Sequence, residues 1–263
     1  MDLEKDELHH IIQRAIALKN SPMLHNDSLQ HKTLAMVFEK SSTRTRVAFE
    51  VAMTQLGGNS IFLASGDTQL GRGEPVEDTA RVISRMVDFI TIRTFEHSKL
   101  ELFAKHSLVP VINALSDDYH PCQLLADMQT YYEHRGSIEN KIACPEGFDP
   151  EPALLEARSA HVRIVRDPHE AVRDADLVTT DVWASMGQEE ERKKRLQIFA
   201  DYQVDEEMMA LAKPDALFFH CLPAHRGEEV SAAVLDAPNS VVWEEAENRL
   251  HTKKALLEFL CQK

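Results

Sequence analysis

Residues 38–50 read FEKSSTRTRVAFE, and the fold is decided here. Upstream, Thr33–Lys40 (TLAMVFEK) is an apolar run of strand length. Downstream, Thr43–Leu56 reads as a helix, with Val47, Val51, Ala52 and Leu56 expected on its buried face. Between them, four hydroxyls and two arginines fall within the six residues Ser41–Arg46. Strand, polar turn and helix make a βα unit, with the turn at the strand's carboxyl end.

The same alternation extends outward. GGNSIFLAS is read as a turn and strand, EDTARVISRMV as a helix, and Phe89–Phe95 as a strand. SKLELFAKH is then a helix, Val109–Leu115 a strand, and PCQLLADMQTYYEHRG a long helix stopped by Gly136. Helical periodicity also opens the chain at Leu8, Ile11, Ile12, Ala15 and Ile16. Further on come KIACPEGF, ALLEARSA, VRIVRD, HEAVRDA, DLVTTDVW, a charged helical stretch, DALFFHCLP and SVVWEEAEN, with a closing helix over roughly 247–260. Strands alternating with helices predict an α/β protein of two lobes, each a parallel sheet flanked by helices, joined near Glu133–Asn140.

Composition narrows the class. The chain has 263 residues, 43% of them hydrophobic and 27% charged, enough for one large or two modest cores. Asp and Glu outnumber Lys and Arg by 43 to 29, for a net charge of −14, and the basic residues form no run. That field opposes binding to nucleic acid or an anionic membrane. MDLEKDELHH lacks the apolar core of a secretory signal, and no stretch approaches the roughly 18–20 apolar residues of a membrane span. Cys122, Cys144, Cys221 and Cys261 are far apart and form no C-x-x-C pair, so a reduced cytoplasmic setting is expected, without a zinc framework.

Ligands of open parallel sheets sit beyond the strands' carboxyl ends, which makes the segments following the strands the place to look for a site. Ser42, Thr43 and Thr45 offer neutral donors at a helix N-terminus that already favours an anion, and Arg44 adds a bidentate, charge-assisted contact. The same residues also read as an ordinary N-cap with solvated arginines. No Walker loop is present, since its glycines and lysine are missing. Arg93 follows the third strand; His120 and Gln123, three apart, follow the fourth. These two suit a carbonyl-plus-amide group better than a metal, although, taken alone, a histidine capping its own loop is the better reading. Cys221 in HCLP invites a nucleophile reading, but an isolated cysteine is by default a small apolar residue. LFFH, Trp183 and Trp243 are expected in the core, and His9–His10 on a solvated helix face.

Six motifs, SSTRTR, IRTFEH, HPCQLLADMQT, DVWASMGQE, FHCLPAHRGEE and AENRLHTKKALL, stand in an order that resembles the ornithine carbamoyltransferases, in the aspartate/ornithine carbamoyltransferase family. The resemblance spans nearly the whole chain and looks closest to the bacterial enzymes of arginine biosynthesis. DVWASMG with HCLP sets it apart from the aspartate-using relatives.

The resemblance implies transfer of a carbamoyl group from carbamoyl phosphate to the side-chain amine of ornithine, giving citrulline and phosphate without metal or cofactor. It implies a carbamoyl-phosphate-binding domain over 1–135, an ornithine-binding domain over 136–245, and a helix over 246–263 packing back on the first. Ser42, Thr43, Arg44 and Thr45 would hold phosphate. Arg93 would bridge phosphate and carbonyl oxygen beside His120, with Pro121, Cys122 and Gln123 completing that pocket and Gln123 facing the carbamoyl nitrogen. Gln69 resembles the glutamine reaching into a neighbouring subunit's site, which implies a homotrimer. Asp181, Ser185 and Met186 match the ornithine loop, Asp181 pairing with the α-ammonium. Cys221 and Leu222 match residues lining the transfer site, Cys221 as a positioning group and not an acylated nucleophile. Arg249 matches the arginine that closes on carbamoyl phosphate. Among these, Arg93, His120, Cys221 and Arg249 would be catalytic.

In one place the chain departs from the family pattern. After EHRGSI the family continues with a strand, a Gly- and Asn-rich turn and a helix before reaching ACPEG, whereas here only Glu139–Ile142 intervene. The gap is about 25–30 residues, roughly one βα unit. It takes the first strand and helix of the second lobe, with an asparagine expected to contact ornithine. Three readings stand: the full molecule holds a segment this chain leaves out, the gene carries a deletion and encodes an impaired carbamoyl-phosphate-binding homologue, or the lobe is rebuilt around another amine.

Overall fold

Thr33–Phe38 forms a strand that is buried along almost its whole length, and the first half of the molecule is built on it. The computed structural model describes residues 3–21, 27–64, 66, 73–135, 140–143, 145–146, 148–150, 152–157, 159–184 and 189–263. The chain divides into two compact units, residues 1–133 with 246–263, and residues 134–245.

Unit 1 runs α1 (Lys5–Asn20), β1 (Thr33–Phe38), α2 (Thr43–Gln55), β2 (Asn59–Ala64), α3 (Val76–Ile83), β3 (Phe89–Arg93), α4 (His97–His106), β4 (Val111–Leu115) and α5 (Pro121–His134). Its four strands are parallel in the order β2-β1-β3-β4. Leu34, Met36 and Phe38 point to one face, where Ile11, Ile12, Phe49, Met53, Leu125 and Leu257 cover them. Ala35 and Val37 point to the other, against Ala80, Ile90, Ile92, Leu100 and Phe103. Burial on both faces is why the strand reads as continuously apolar and not as an alternation. Helix α2 ends in a Schellman turn: Gly57, at φ 79°, donates to Thr54 O, and Gly58 N donates to Met53 O at 2.8 Å. That turn feeds the chain straight into β2.

Two expectations are corrected. Val47 is 51% exposed; the buried stripe of α2 is Thr45, Ala48, Phe49, Ala52 and Met53, because the largest side chains, Phe49 and Met53, set which face turns inward. Trp243 is 58% exposed, next to a fully buried Val242: neighbouring helix positions point about 100° apart, and Val242 takes the inward one. Trp183 is half-buried and stacks on Phe199. LFFH is core as expected.

Unit 2 holds β5 (Asn140–Ala143), α6 (Pro152–Ala157), β6 (Val162–Val165), α7 (Pro168–Val172), β7 (Leu177–Thr180), α8 (Glu189–Ile198), α9 (Glu206–Met209), β8 (Leu217–His220) and α10 (Ala232–Leu235). The closing helix α11 (Val242–Cys261) starts earlier than its sequence pattern suggested and belongs to unit 1 from Ala246 onward. Ser240, in a stretch that continues the strand alternation, makes only an isolated bridge to Phe218. Gly136, the expected stop of α5, lies outside the described residues. Val178, Phe218, Val230, Val234 and Val242 form the core of this unit.

In unit 2 the parallel pairing is divided. Strand β5 pairs with β6 and β7 with β8, and among the described residues no pairing joins the two sheets. Two-stranded sheets are marginal alone, since each strand keeps an unpaired row of N–H and C=O groups. Hydrogen exchange should therefore show the amides of β5–β8 exchanging faster than those of β1 and β3; equal protection would contradict this account.

Candidate active site

In unit 1 the site is assembled where β1, β3 and β4 end. Ser42 caps α2, its Oγ accepting from Thr45 N at 3.3 Å, as the capping reading expects. Thr45 is fully buried, and its Oγ1 accepts a 2.6 Å hydrogen bond from Arg249 Nη2 on α11. The two arginines of SSTRTR separate. Arg46 is spent on the surface, bonded to Glu50 one turn on and lying 3.9 Å over the Phe62 ring. Arg44 is half-buried, its Nε enclosed without an acceptor.

Arg93 closes β3 with its Nε likewise buried and unpartnered. Burial lowers its pKa to about 10, with Arg249 and Arg44 pushing the same way. His120 precedes α5. Burial, then Arg249, Arg93 and Lys253, lowers its pKa to about 3, so at neutral pH the ring is an uncharged donor. Its Nδ1 has no partner. Among the described residues neither Arg44 nor Arg93 forms an ion pair. Enclosed cations without counter-charge are costly, and with the N-terminus of α2 they make this region complementary to a multiply charged anion.

The start of α5 sorts its residues. Pro121 takes the first helical position, where no N–H is needed. Gln123 is buried and donates from Nε2 to Asp127 Oδ1 at 2.8 Å, which fixes the amide's orientation. The Cys122 thiol lies in the hydrophobic core, donates to Asn113 O at 3.3 Å and is pushed up in pKa by burial. Gln69 lies outside the described residues.

In unit 2, register makes the site. Thr180 of β7 pairs with His220 of β8, so the next residues on each strand, Asp181 and Cys221, emerge side by side. The Cys221 thiol donates to Asp181 Oδ1 at 3.0 Å, and that oxygen also accepts from Val182 N at 2.7 Å. Asp181 is exposed, a carboxylate open to a cation. Ser185 and Met186 lie outside the described residues.

The loop carrying Cys221 and Leu222 is held from beneath. Leu222, at φ 55°, donates its N–H to His220 Nδ1 at 2.9 Å. That makes Nδ1 the acceptor and puts the ring proton on Nε2, which donates to buried Glu229 at 3.1 Å. Glu229 also accepts from His225 N at 2.6 Å, and Glu245 accepts from His220 N at 3.0 Å. Among the described residues two groups each bring their potential metal-ligand atoms within 4.8 Å of one another, Asp181 with His220 and Cys221, and His225 with Glu228 and Glu229. In the first, both ring nitrogens of His220 are already committed to the scaffold, which argues against a metal there.

Sequence reasoning missed Glu229, Glu245 and Lys253. Only for Lys253 was a signal available, its spacing of one helical turn from Arg249 in RLHTK.

Burial alone would raise the Glu229 carboxyl, yet the bonds from His220 and His225 N hold it below its usual 4.5. A depressed carboxyl stabilises the fold above its unfolded value and loses that contribution as pH falls through the folded one. Melting temperature should thus drop more steeply below about pH 4.5 in the parent than in Glu229→Gln. Thr45→Val, which removes this one acceptor from Arg249, should cost about 1–3 kcal/mol in denaturant unfolding.

Comparison with known proteins gives a consistent result over both units. The family model of the aspartate/ornithine carbamoyltransferase carbamoyl-P binding domain matches residues 1–133, and that of the Asp/Orn binding domain matches residues 128–260. The ornithine carbamoyltransferase of Hydrogenovibrio crunogenus is 57% identical, covering 100% of this chain and 96% of its own. That of Nitrosococcus oceani is 57% identical over 98% of this chain and 95% of its own. The solved ornithine carbamoyltransferase of Pyrococcus furiosus superposes with a TM-score of 0.93 at 44% identity, covering 99% of this chain and 95% of that one. The Hydrogenovibrio alignment runs over 291 positions against 263 residues here, so at least 28 residues of that relative have no counterpart in this chain.

Proposed function

Because this chain belongs to the aspartate/ornithine carbamoyltransferase family, we propose that it transfers the carbamoyl group of carbamoyl phosphate to the side-chain amine of L-ornithine, forming L-citrulline and phosphate. The observation that carries this reading is the set of buried, uncompensated donors in unit 1, Arg44, Arg93 and His120, beside the N-terminus of α2.

Carbamoyl phosphate is an activated acyl donor with a dianionic leaving group. Ser42, Thr43, Arg44 and Thr45 hold the phosphate through hydroxyls, helix N–H groups and a guanidinium. Arg93 spans phosphate and carbonyl oxygen. The deprotonated amine attacks the carbonyl carbon, a C–N bond forms, and the oxygen gains negative charge. Arg93, Thr45 and neutral His120 stabilise that charge as fixed donors. Collapse breaks the C–O bond to phosphate, the departing phosphate takes the proton shed by the attacking nitrogen, and the arginines neutralise its remaining charge. Gln123, oriented by Asp127, reads the carbamoyl NH2. Arg249, tied to Thr45, links α11 to the phosphate-binding turn.

In unit 2, Asp181 pairs with the α-ammonium of ornithine, helped by Ser185 and Met186. Cys221 orients Asp181 through its thiol hydrogen bond, and with Leu222 it lines the transfer site. The same reading places the enzyme in cytoplasmic arginine biosynthesis, as a homotrimer in which Gln69 serves a neighbouring subunit. No metal or other cofactor is called for by these steps.

Purified protein should form citrulline from ornithine and carbamoyl phosphate; well-folded protein without turnover would refute the activity. Arg44→Ala should weaken carbamoyl phosphate binding about 10–100-fold, the worth of a charge-assisted contact; unchanged affinity by calorimetry would remove the phosphate role. One observation, the divided sheet of unit 2, favours a second reading, an impaired homologue that binds carbamoyl phosphate as a structural or regulatory subunit. Binding without citrulline formation would select it.

A further inference from the structure

We propose that Lys253 is a further anion-positioning residue of the unit 1 site, its buried amine taking up a proton as the phosphoanion binds and becoming a charge partner of that anion. This rests on the reading of unit 1 as a carbamoyl-phosphate site.

Lys253 is 1% exposed, and its Nζ is enclosed without a hydrogen-bond acceptor. It follows Arg249 by one turn of α11, on the same face, and Arg249 reaches Thr45 in the phosphate-binding turn. The amine lies 4.7 Å from the Phe49 ring centroid, on α2, one turn beyond Thr45. The charged and titratable groups acting on it are Arg249 from its own helix, Arg93 from β3 and Cys122 from α5, and Lys253 in turn acts on His120. Two of these are cations. Cys122 offers no fixed negative charge, because burial raises its pKa. Burial first, then Arg249 and Arg93, lowers the pKa of Lys253 well below 10.5.

Such an amine is an odd structural choice. If the position only filled space against Phe49, an apolar side chain would do so without desolvating an amine. An arriving dianion changes the balance, because it supplies the negative charge that the cluster lacks. The amine then takes one proton from a buffer acid, becomes an ammonium, and the buffer is left as its conjugate base; no covalent bond changes. Proton uptake is confined to the pH window between the amine's pKa without anion and its higher pKa with anion. His120 is the other proton acceptor in the cluster, but it starts from about 3 and has further to climb.

Calorimetry of inorganic phosphate binding at pH 8.5, in two buffers of different ionisation enthalpy, counts the protons directly. The parent protein should take up protons as phosphate binds, up to one per phosphate. Lys253→Met, which keeps the stem's bulk, should lose the uptake and bind about 10-fold more weakly, while His120→Asn should keep the uptake. Uptake surviving in Lys253→Met, lost in His120→Asn alone, or absent from a phosphate-binding parent overturns the proposal and leaves the anion site standing. No phosphate binding by the parent would instead remove the site beneath it. If Lys253→Met fails to fold, the His120→Asn result and the parent's proton count still decide.

Discussion

A parallel strand needs a hydrogen-bonded neighbour on each edge and a covering layer on each face, and β1 has all four. It pairs with β2 and β3, and two separate apolar clusters close over it. Its C-terminal end is therefore fixed. From that end Ser42 caps α2, Thr45 turns inward to Arg249, and Arg44 is left with a buried, unpartnered Nε. Beside it β3, in register through Phe38 and Arg93, delivers the second guanidinium. Sheet geometry brings the cations together, so no flexible loop has to order itself to make the anion site.

Holding those cations close together works against folding. Arg93, His120 and Lys253 all have pKa values lowered by burial first, and each is further lowered by cationic neighbours. The structure keeps this unfavourable set by anchoring it to well-packed elements: β3 in the sheet core, α5 through Leu125 and Met128, and α11 through Leu256 and Leu257. Unit 2 follows the opposite approach, placing exposed Asp181 over a buried scaffold of His220, Glu229 and Glu245 in which the polar contacts are made within the protein.

Much of this was legible in residues. The change from apolar run to hydroxyls to helix at Phe38–Glu50 locates a strand end, and the motif order supplies Arg93, His120 and Asp181. The face of α2 was misread because Val47 and Val51 satisfy a helical stripe nearly as well as Phe49 and Met53 do, and only packing decides between them. Trp243 was misread because a large aromatic is usually buried, whereas here its neighbour Val242 holds the inward position. Lys253 was missed for a different reason. A lysine pair in a closing helix reads as solvated surface until the sheet it packs against is known.

The divided sheet of unit 2 stands beside a difference in chain length. The described pairing stops at β5-β6 and at β7-β8, and an aligned relative carries at least 28 residues that this chain lacks, about one βα unit. A deletion within a helical bundle shortens a layer, but a strand removed from a parallel sheet strips two neighbours of their ladder partners at once. The loss is therefore not graded. It leaves Asp181 and Cys221 correctly paired, because their positions depend only on the β7-β8 register and the His220 scaffold. The consequence is local: the Asp181–Cys221 pair is specified by the β7-β8 register, while β5 and β6 pack against α7. The donor cluster of unit 1, built on β1, β3, α5 and α11, does not draw on that sheet at all.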